Sequence, residues 1–256
     1  ILPIALGEAT KTMPYVTDST KRYTFTVNWG ERRETDDADG EVVETSDVRP
    51  DRAAIEAALP AFVGMIEQVP PAYSAIKIEG QRAYAKARAG EDFVLQARTI
   101  EINAFDLVEI LDADRARFAV TSGKGAYMRA LARDLAIAVG TCGHLSDLRR
   151  IAVGPFVESA AISLEKLEQL GHSAAASPIL LPIETALDGI PALALSDREA
   201  EKLRNGQAVP ILRPQDRERI AAAGDDGIVL ALEATTPVAL VRVDGIQIRP
   251  VRVLNL

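Results

Sequence analysis

Residues 121–156 read TSGKGAYMRALARDLAIAVGTCGHLSDLRRIAVGPF, and this stretch decides the predicted fold. It begins with a glycine-punctuated segment that follows an alternating apolar run. Apolar residues then fall at intervals of four, four and three, which is the spacing of one helix face. These residues are Tyr127, Leu131, Leu135 and Ala138. Because glycines follow at once, the predicted helix ends there.

The same stretch is locally basic. It holds five Lys and Arg residues against two acidic ones, although the whole chain carries a formal net charge of −8. Two interpretations stay open on the residues alone. One is an amphipathic helix with a solvated basic face. The other is a site for a phosphate or carboxylate, because glycine-flanked N–H groups and an arginine near a helix start, here Arg129, suit an anion.

A resemblance favours the second interpretation. The segments KGAYMR (124–129), DL (134–135) and LRR (148–150) resemble the hallmark of the TruB family of tRNA pseudouridine synthases. Further matches follow in family order along essentially the whole chain. They are ILP (1–3), GEATK (7–11), KRY (21–23), TDDADG (35–40), QVPPAYSAIK (68–77) and Gly80.

The order of elements predicts an α+β fold, and the resemblance makes it a pseudouridine synthase fold: a mixed, mainly antiparallel sheet with packed helices. We place the catalytic domain, lacking its N-terminal part, at residues 1–190 and a small β-rich domain at residues 191–256. The sequence SDRE at 196–199 is a capping box, and Asp244-Gly245 predicts a tight hairpin turn. The segment at 202–209 is similar to that of PUA RNA-binding modules, although any small β-barrel would look much the same.

Within the first domain, periodicity and turn residues set the expected elements. We expect helices at 50–62, 81–89 and 163–170. We expect strands at 23–29, 73–78, 97–102, 105–110 and 116–121.

The resemblance implies isomerisation of uridine-55 in the T loop of tRNA to its C-glycoside isomer, pseudouridine. The target base must be extruded from the loop, and an aromatic platform offsets the cost of unstacking. By resemblance, Tyr23 is that platform and assists proton removal at C5. Arg129 orients an ionised aspartate nucleophile, and Leu148 packs near the uracil.

Further residues are expected to contact RNA. Asp37 matches a loop position beside the active site. The other candidates lie in a matched segment, on the basic helix expected at 81–89 or in the basic stretch: Lys77, Arg82, Lys124, Tyr127, Arg149 and Arg150.

The family's nucleophilic aspartate lies in a short Gly/Leu/Asp/Pro motif just before the segment that matches Ile1-Leu2-Pro3. No residue from 1 to 256 matches it, because Asp36, Asp37 and Asp39 belong to a different loop. We therefore expect an N-terminally truncated chain that is inactive by itself, whereas the parent protein is a synthase.

No cofactor and no metal are expected. Residues 35–46 imitate a calcium loop, but Ser46 stands where a bidentate Glu is required. Cys142, His144 and His172 are too few for a zinc cage. A single cysteine and the absence of a membrane-spanning run favour a cytoplasmic setting, and we expect a monomer. The resemblance implies tRNA as the partner, with RNA binding that is salt-sensitive.

Two other classes of function stay open. A non-catalytic tRNA-binding protein or RNA-folding chaperone would use the same sheet and basic patches without chemistry. A generic α+β enzyme with a regulatory β domain would have no affinity for tRNA.

Overall fold

The computed structural model describes residues 1–170, 179–211 and 227–256, and the chain divides into two compact units. The first unit contains Ile1 and Asp18–Ser159, and the second contains Leu2–Thr17 and Ala160–Leu256. The predicted boundary after residue 190 separates domains by role, and it stays a prediction. His172, residues 174–176 and Pro178 lie outside the described residues.

An antiparallel sheet forms the body of the first unit. The strands of this unit are β1 (Lys21–Trp29), β2 (Glu31–Arg33), β3 (Val42–Thr45), β4 (Gly64–Gln68), β5 (Lys77–Ile78), β6 (Gln81–Arg82), β7 (Arg98–Ile110), β8 (Arg115–Ser122), β9 (Gly143–Val153) and β10 (Phe156–Val157). Six of them pair in the order β10-β9-β1-β8-β7-β4, and all neighbours are antiparallel. The pairs β2–β3 and β5–β6 form separate hairpins. This arrangement confirms the predicted fold class.

Short helices cover and connect the sheets. The α-helices are α1 (Met13–Asp18), α2 (Arg52–Ala58), α3 (Ala83–Arg88), α4 (Met128–Ala138), α5 (Leu164–Leu170) and α6 (Asp197–Arg204). The 3-10 segments include Gly7–Thr12, Leu59–Phe62, Glu158–Ala160 and Ile183–Leu187. None of the helices in the described part of the chain is both long and apolar enough to cross a membrane.

The core of the first unit lies between one face of its sheet and α4. Alternate residues of β1, including Phe25 and Val27, are fully buried with Phe118 of β8. Leu131 and Leu135 of α4 close this core, as the helical spacing predicts. Tyr127 and Ala138 do not belong to the buried face. Tyr127 is the N-cap and Ala138 is exposed, because the buried stripe starts at Met128.

Several of the predicted elements differ from the structure. The strands expected at 97–102 and 105–110 are one continuous strand, β7. Of the strand expected at 73–78, only Lys77–Ile78 forms. The helix expected at 50–62 begins after Asp51, whose carboxylate accepts a hydrogen bond from the Ala54 amide at 2.8 Å. It tightens to a 3-10 turn at Pro60, which lacks an N–H donor.

The second unit holds its own sheet. Its strands are β11 (Ala192–Leu195), β12 (Val209–Pro210), β13 (Ile228–Glu233), β14 (Thr236–Asp244) and β15 (Gln247–Val253), in the order β11-β13-β14-β15-β12. The predicted capping box is present, since Ser196 and Glu199 bond each other's backbone at the start of α6. The hairpin between β14 and β15 turns at Gly245, whose φ is +60°. These features confirm a β-rich C-terminal part, whereas its PUA-like character stays a prediction.

The GEATK segment at 7–11 is fixed to the end of β15. The Lys11 ammonium donates to the Val253 carbonyl at 2.8 Å and pairs with the Glu8 carboxylate at 2.7 Å. The same carboxylate accepts a hydrogen bond from the Asn255 amide at 2.6 Å. These contacts form a clasp between residues near the two ends of the chain.

Candidate active site

Tyr23 and Leu148 lie on the same face of the first sheet. In the β1–β9 pair, Tyr23 stands opposite Arg150 and Phe25 stands opposite Leu148. Directly opposite residues of antiparallel strands point to the same side, so all four face the core side where α4 packs. Leu148 is nevertheless 47% exposed, and Tyr23 is half-buried. The core side of the sheet therefore has an open, apolar part beside Tyr23.

The start of α4 is fixed to the edge strand of this sheet. The Tyr127 amide donates to the Gln68 side-chain oxygen at 2.9 Å, and the Gln68 amide group donates back to the Tyr127 carbonyl at 3.2 Å. Gln68 is the last residue of β4 and is only 2% exposed. These two bonds satisfy backbone groups at a helix start and fix the direction in which the next residues project.

Arg129 lies in the first turn of α4 and joins two loops. One guanidinium nitrogen donates to the Thr35 carbonyl and to the Asp37 carboxylate, both at 2.9 Å. The other terminal nitrogen donates to the Tyr73 carbonyl at 2.8 Å. The Arg129 and Asp37 side chains are each 23% exposed, so the ion pair is held at the edge of the protein interior.

The Asp37 loop runs beside β9. The Asp36 carbonyl accepts a hydrogen bond from the Leu145 amide at 3.1 Å, and Asp37 forms an isolated parallel bridge with Leu145. Leu145 precedes Leu148 by three residues on β9. The structure thus links Arg129, Asp37 and Leu148 through this strand, and Tyr23 lies on the strand next to it.

A second arginine–aspartate pair lies beside the first. Arg133 donates to the Asp36 carboxylate at 2.8 Å, to Asp134 at 2.8 Å and to the Val69 carbonyl at 2.8 Å. Sequence reasoning counted Arg133 only as a basic residue and gave no role to Asp36. The available signal was the i, i+4 spacing of Arg129 and Arg133 together with two consecutive aspartates.

Burial works against both charges of this second pair. It raises the pKa of the Asp36 carboxyl above its usual value, although the nearby Arg133 guanidinium acts in the opposite direction. Burial also disfavours the charged guanidinium of Arg133. Its hydrogen bonds to Asp134 and Asp36 outweigh that effect and raise the Arg133 pKa. Asp36 therefore depends on Arg133 to favour its charged form, whereas Arg133 is supported by both Asp134 and Asp36.

Of the other predicted RNA-binding residues, Tyr127 lies two positions before Arg129 at the start of α4, and the remaining five lie outside α4 and the Asp37 loop. Lys77 and Arg82 are exposed and face each other on the β5–β6 hairpin. Lys124 pairs with Asp18 at 3.0 Å. Arg149 bonds Glu158 at 2.7 Å, and Arg150 donates to the Ile1 carbonyl at 2.9 Å.

The described site residues can stabilise charge and can stack on a planar group. Across the described ranges, no three His, Cys, Asp or Glu residues are grouped so that they could hold a metal ion. An arginine held by three acceptors can steady a carboxylate, and a half-buried tyrosine beside an exposed leucine can receive a planar base.

The chain is similar to known proteins over nearly its whole length. Residues 1–128 match the model of the TruB family pseudouridylate synthase N-terminal domain, and residues 129–188 match that of the tRNA pseudouridylate synthase B C-terminal domain. The chain is 51% identical over 256 residues to tRNA pseudouridine synthase B of Rhodospirillum rubrum, covering 100% of this chain and 83% of the relative. It is 53% identical over 255 residues to the protein of that name from Gluconacetobacter diazotrophicus, covering 99% and 83%.

Solved structures share the fold at low sequence identity. A Cbf5–Nop10–Gar1 complex contains a chain with a TM-score of 0.71 and 22% identity, covering 100% of this chain and 72% of that one. An archaeal box H/ACA sRNP Nop10–Cbf5 complex gives a TM-score of 0.70 at 19% identity, covering 100% and 73%. With both family models matched in order and relatives about half identical over nearly its whole length, the chain belongs to the TruB family of pseudouridine synthases.

Proposed function

We propose that this protein is a tRNA pseudouridine synthase that isomerises uridine-55 of the T loop. The observation that carries the proposal is the Arg129–Asp37 ion pair, in which Asp37 is bridged to Leu145 on the strand that carries Leu148. Relatives about half identical to this chain are named tRNA pseudouridine synthase B, which supports tRNA as the substrate.

In this proposal the target uridine leaves the stack of the T loop and enters the open part of the sheet face. Flipping a base costs a few kcal/mol, and stacking on an aromatic ring returns about 1–3 kcal/mol per base. Tyr23 provides that ring, and its hydroxyl assists removal of the proton from C5. Leu148 offers an exposed apolar side chain on the same face, against which the uracil can pack.

Arg129 is proposed to stabilise and orient the negative charge of the nucleophile. Three hydrogen bonds to Thr35, Asp37 and Tyr73 fix the direction of its guanidinium before substrate binds. Such a preorganised cation keeps a nearby carboxylate ionised and oriented for attack. The reaction breaks the bond from the sugar to N1 and forms one to C5, while C5 loses a proton and N1 gains one. The isomerisation therefore balances without an external reactant.

The carboxylate nucleophile is proposed to come from outside residues 1–256, where the family motif has no match. The Ile1 carbonyl accepts a hydrogen bond from Arg150, which stands opposite Tyr23, so Ile1 lies beside the strand that carries the proposed platform. We propose accordingly that residues 1–256 alone bind tRNA without converting it.

The experiment is to incubate the full-length protein with unmodified tRNA and map pseudouridine at single-nucleotide resolution. We expect modification at position 55 and none in a tRNA in which that uridine is replaced by cytidine. Modification at other positions would overturn the assignment of the T loop. Tight binding without any pseudouridine would favour a non-catalytic tRNA-binding protein or RNA-folding chaperone.

A further inference from the structure

We propose that Arg133 and Asp36 form a positioning pair, which holds the loop at residues 34–37 so that Asp37 meets Arg129 in the active site. The inference rests on the proposed function, since it assigns a second, more buried ion pair to the same reaction. Neither residue is proposed to touch the uridine. Their effect on the reaction passes through Asp37 and Arg129.

The backbone of the loop makes this division of labour possible. Asp36 has a φ of +60°, an uncommon left-handed conformation for a residue with a side chain. Its carboxylate reaches Arg133, whereas the carboxylate of the next residue, Asp37, reaches Arg129. Between them the chain is fixed by the hydrogen bond from the Leu145 amide to the Asp36 carbonyl. Two adjacent carboxylates are thus bound to two separate cations.

The two cations are matched to this spacing by α4. Arg129 and Arg133 are four residues apart, so they lie on the same side of the helix about one turn from each other. If the loop slipped by one residue, Asp37 would meet Arg133 and Arg129 would lose its carboxylate. The more buried Arg133–Asp36 pair, called the inner pair, therefore sets the register of the Arg129–Asp37 pair, called the outer pair.

Burial indicates that the inner pair is suited to specificity more than to stability. Asp36 is 6% exposed, and the side chain of Arg133 is 16% exposed. Taking two charges out of water costs about as much as their attraction returns, so a buried pair is weak evidence for stability, and removing one partner leaves a buried charge uncompensated. A role in fixing one arrangement of the loop explains why such a pair would be present.

Arginine fits this position better than lysine. Arg133 reaches the Asp36 carboxylate, the Asp134 carboxylate and the Val69 carbonyl with different nitrogens of one planar group. A lysine carries a single ammonium and cannot hold three acceptors in this fork. The Val69 contact also joins the loop to the end of β4, which already fixes the start of α4 through Gln68.

The test compares variants of the full-length protein in single-turnover pseudouridine formation at saturating enzyme, with tRNA affinity measured separately. We expect Arg133→Gln and Asp36→Asn each to lower the rate about 10²-fold, the scale of a small misplacement of catalytic groups. Affinity should change less than about twofold. Arg133→Lys should recover part of the rate, because it restores the charge but not the fork.

A double variant separates positioning from stability. Asp36→Asn with Arg133→Gln removes both charges, so its melting temperature should recover towards that of the wild type. If the pair positions the loop, the rate of the double variant stays as low as that of the singles, because the residues act as one unit. A rate that recovers together with the melting temperature would overturn the proposal.

A matched control comes from an exposed pair in the same unit. Arg117 pairs with Glu109 at 3.0 Å between β8 and β7, with side chains 42% and 49% exposed. Arg117→Gln should leave rate and affinity unchanged, and an equal loss in that variant would also overturn the proposal. Failure of the wild type to form pseudouridine would instead refute the proposed function, so the two failures are distinct.

Discussion

Two pairs of basic residues in the first unit have opposite surroundings. One pair is Arg129 and Arg133 of α4, and the other is Lys77 and Arg82 of the β5–β6 hairpin. The two arginines are largely buried, and each binds a carboxylate and at least one backbone carbonyl. The hairpin residues are exposed and face each other across two short strands. Both groups lie in an acidic chain in which any basic cluster stands out.

The difference separates two uses of positive charge. A cation whose donors are already bound to protein acceptors is oriented, so it can direct a reacting group but gains little from a passing phosphate. An exposed cation is free to approach a phosphate, and it gains affinity because counterions condensed on the RNA are released when the two meet. We therefore expect substitutions in α4 to change rates and substitutions in the hairpin to change affinity.

Arg129→Ala is expected to give the largest effect, and it tests whether a largely buried arginine controls rate and not affinity. The loss of one preorganised charge in an active site costs about 10²–10³ in rate. We expect that loss in single-turnover pseudouridine formation, with nearly unchanged tRNA affinity measured by filter binding. If affinity collapsed while bound tRNA reacted at the normal rate, the assignment of Arg129 to the nucleophile would be wrong.

Tyr23 gives the next largest effect. Removing the ring in Tyr23→Ala forfeits about 1–3 kcal/mol of stacking, which corresponds to about 5–150-fold in rate. Tyr23→Phe is the matched control, because it keeps the ring in the half-buried position. Any rate loss that remains in Tyr23→Phe measures the part of the hydroxyl in proton removal. Equal losses in the two variants would argue against stacking as the main role.

Lys77→Gln combined with Arg82→Gln tests the exposed side of the comparison. Each lost phosphate contact reduces the slope of log affinity against log salt by about 0.7–0.9, so the double variant should lose about 1.5. The rate of bound tRNA should not change. The control is Arg115→Gln with Arg117→Gln on β8, whose exposed side chains pair with acidic residues. The same slope change in this control would show a general charge effect.

The smallest effect concerns the pH dependence of stability. Burial raises the pKa of Asp36 above 3.8, so the folded state binds this proton more tightly than the unfolded state. The contribution of Asp36 to the free energy of unfolding should therefore fall as pH rises from the unfolded value through the folded pKa. NMR titration of the carboxyl checks the direction. Arg133→Gln should raise this pKa further, and a lowered value would contradict the proposed balance of burial and charge.

Local patterns in the sequence were sufficient to predict α4, β1 and the capping box at Ser196. Helical spacing, alternation and a cap each involve residues a few positions apart, so their pattern is visible in a short window. The strand expected at 73–78 failed for the opposite reason. Its apolar residues alternate as in a strand, but Tyr73 gives its carbonyl to Arg129 and so belongs to the loop that holds the site.

The inner ion pair could not be derived from a local pattern. Arg133 and Asp36 are 97 positions apart, and only the fold brings them together. The loop at 35–40 reads as a solvated acidic turn, and Asp36 is nevertheless buried. The resemblance supplied Tyr23, Arg129, Leu148 and Asp37 as candidates because it carries positions over from a family. Their roles stay predictions until they are measured.

The clasp of Glu8 and Lys11 on Val253 and Asn255 has a consequence for synthesis on the ribosome. The Lys11–Val253 contact spans 242 positions, so Glu8 and Lys11 find these acceptors only after residues 253–255 have been translated. Closure over such a distance is slow compared with hairpin formation. The second unit can therefore complete its contacts only after β15 has been synthesised.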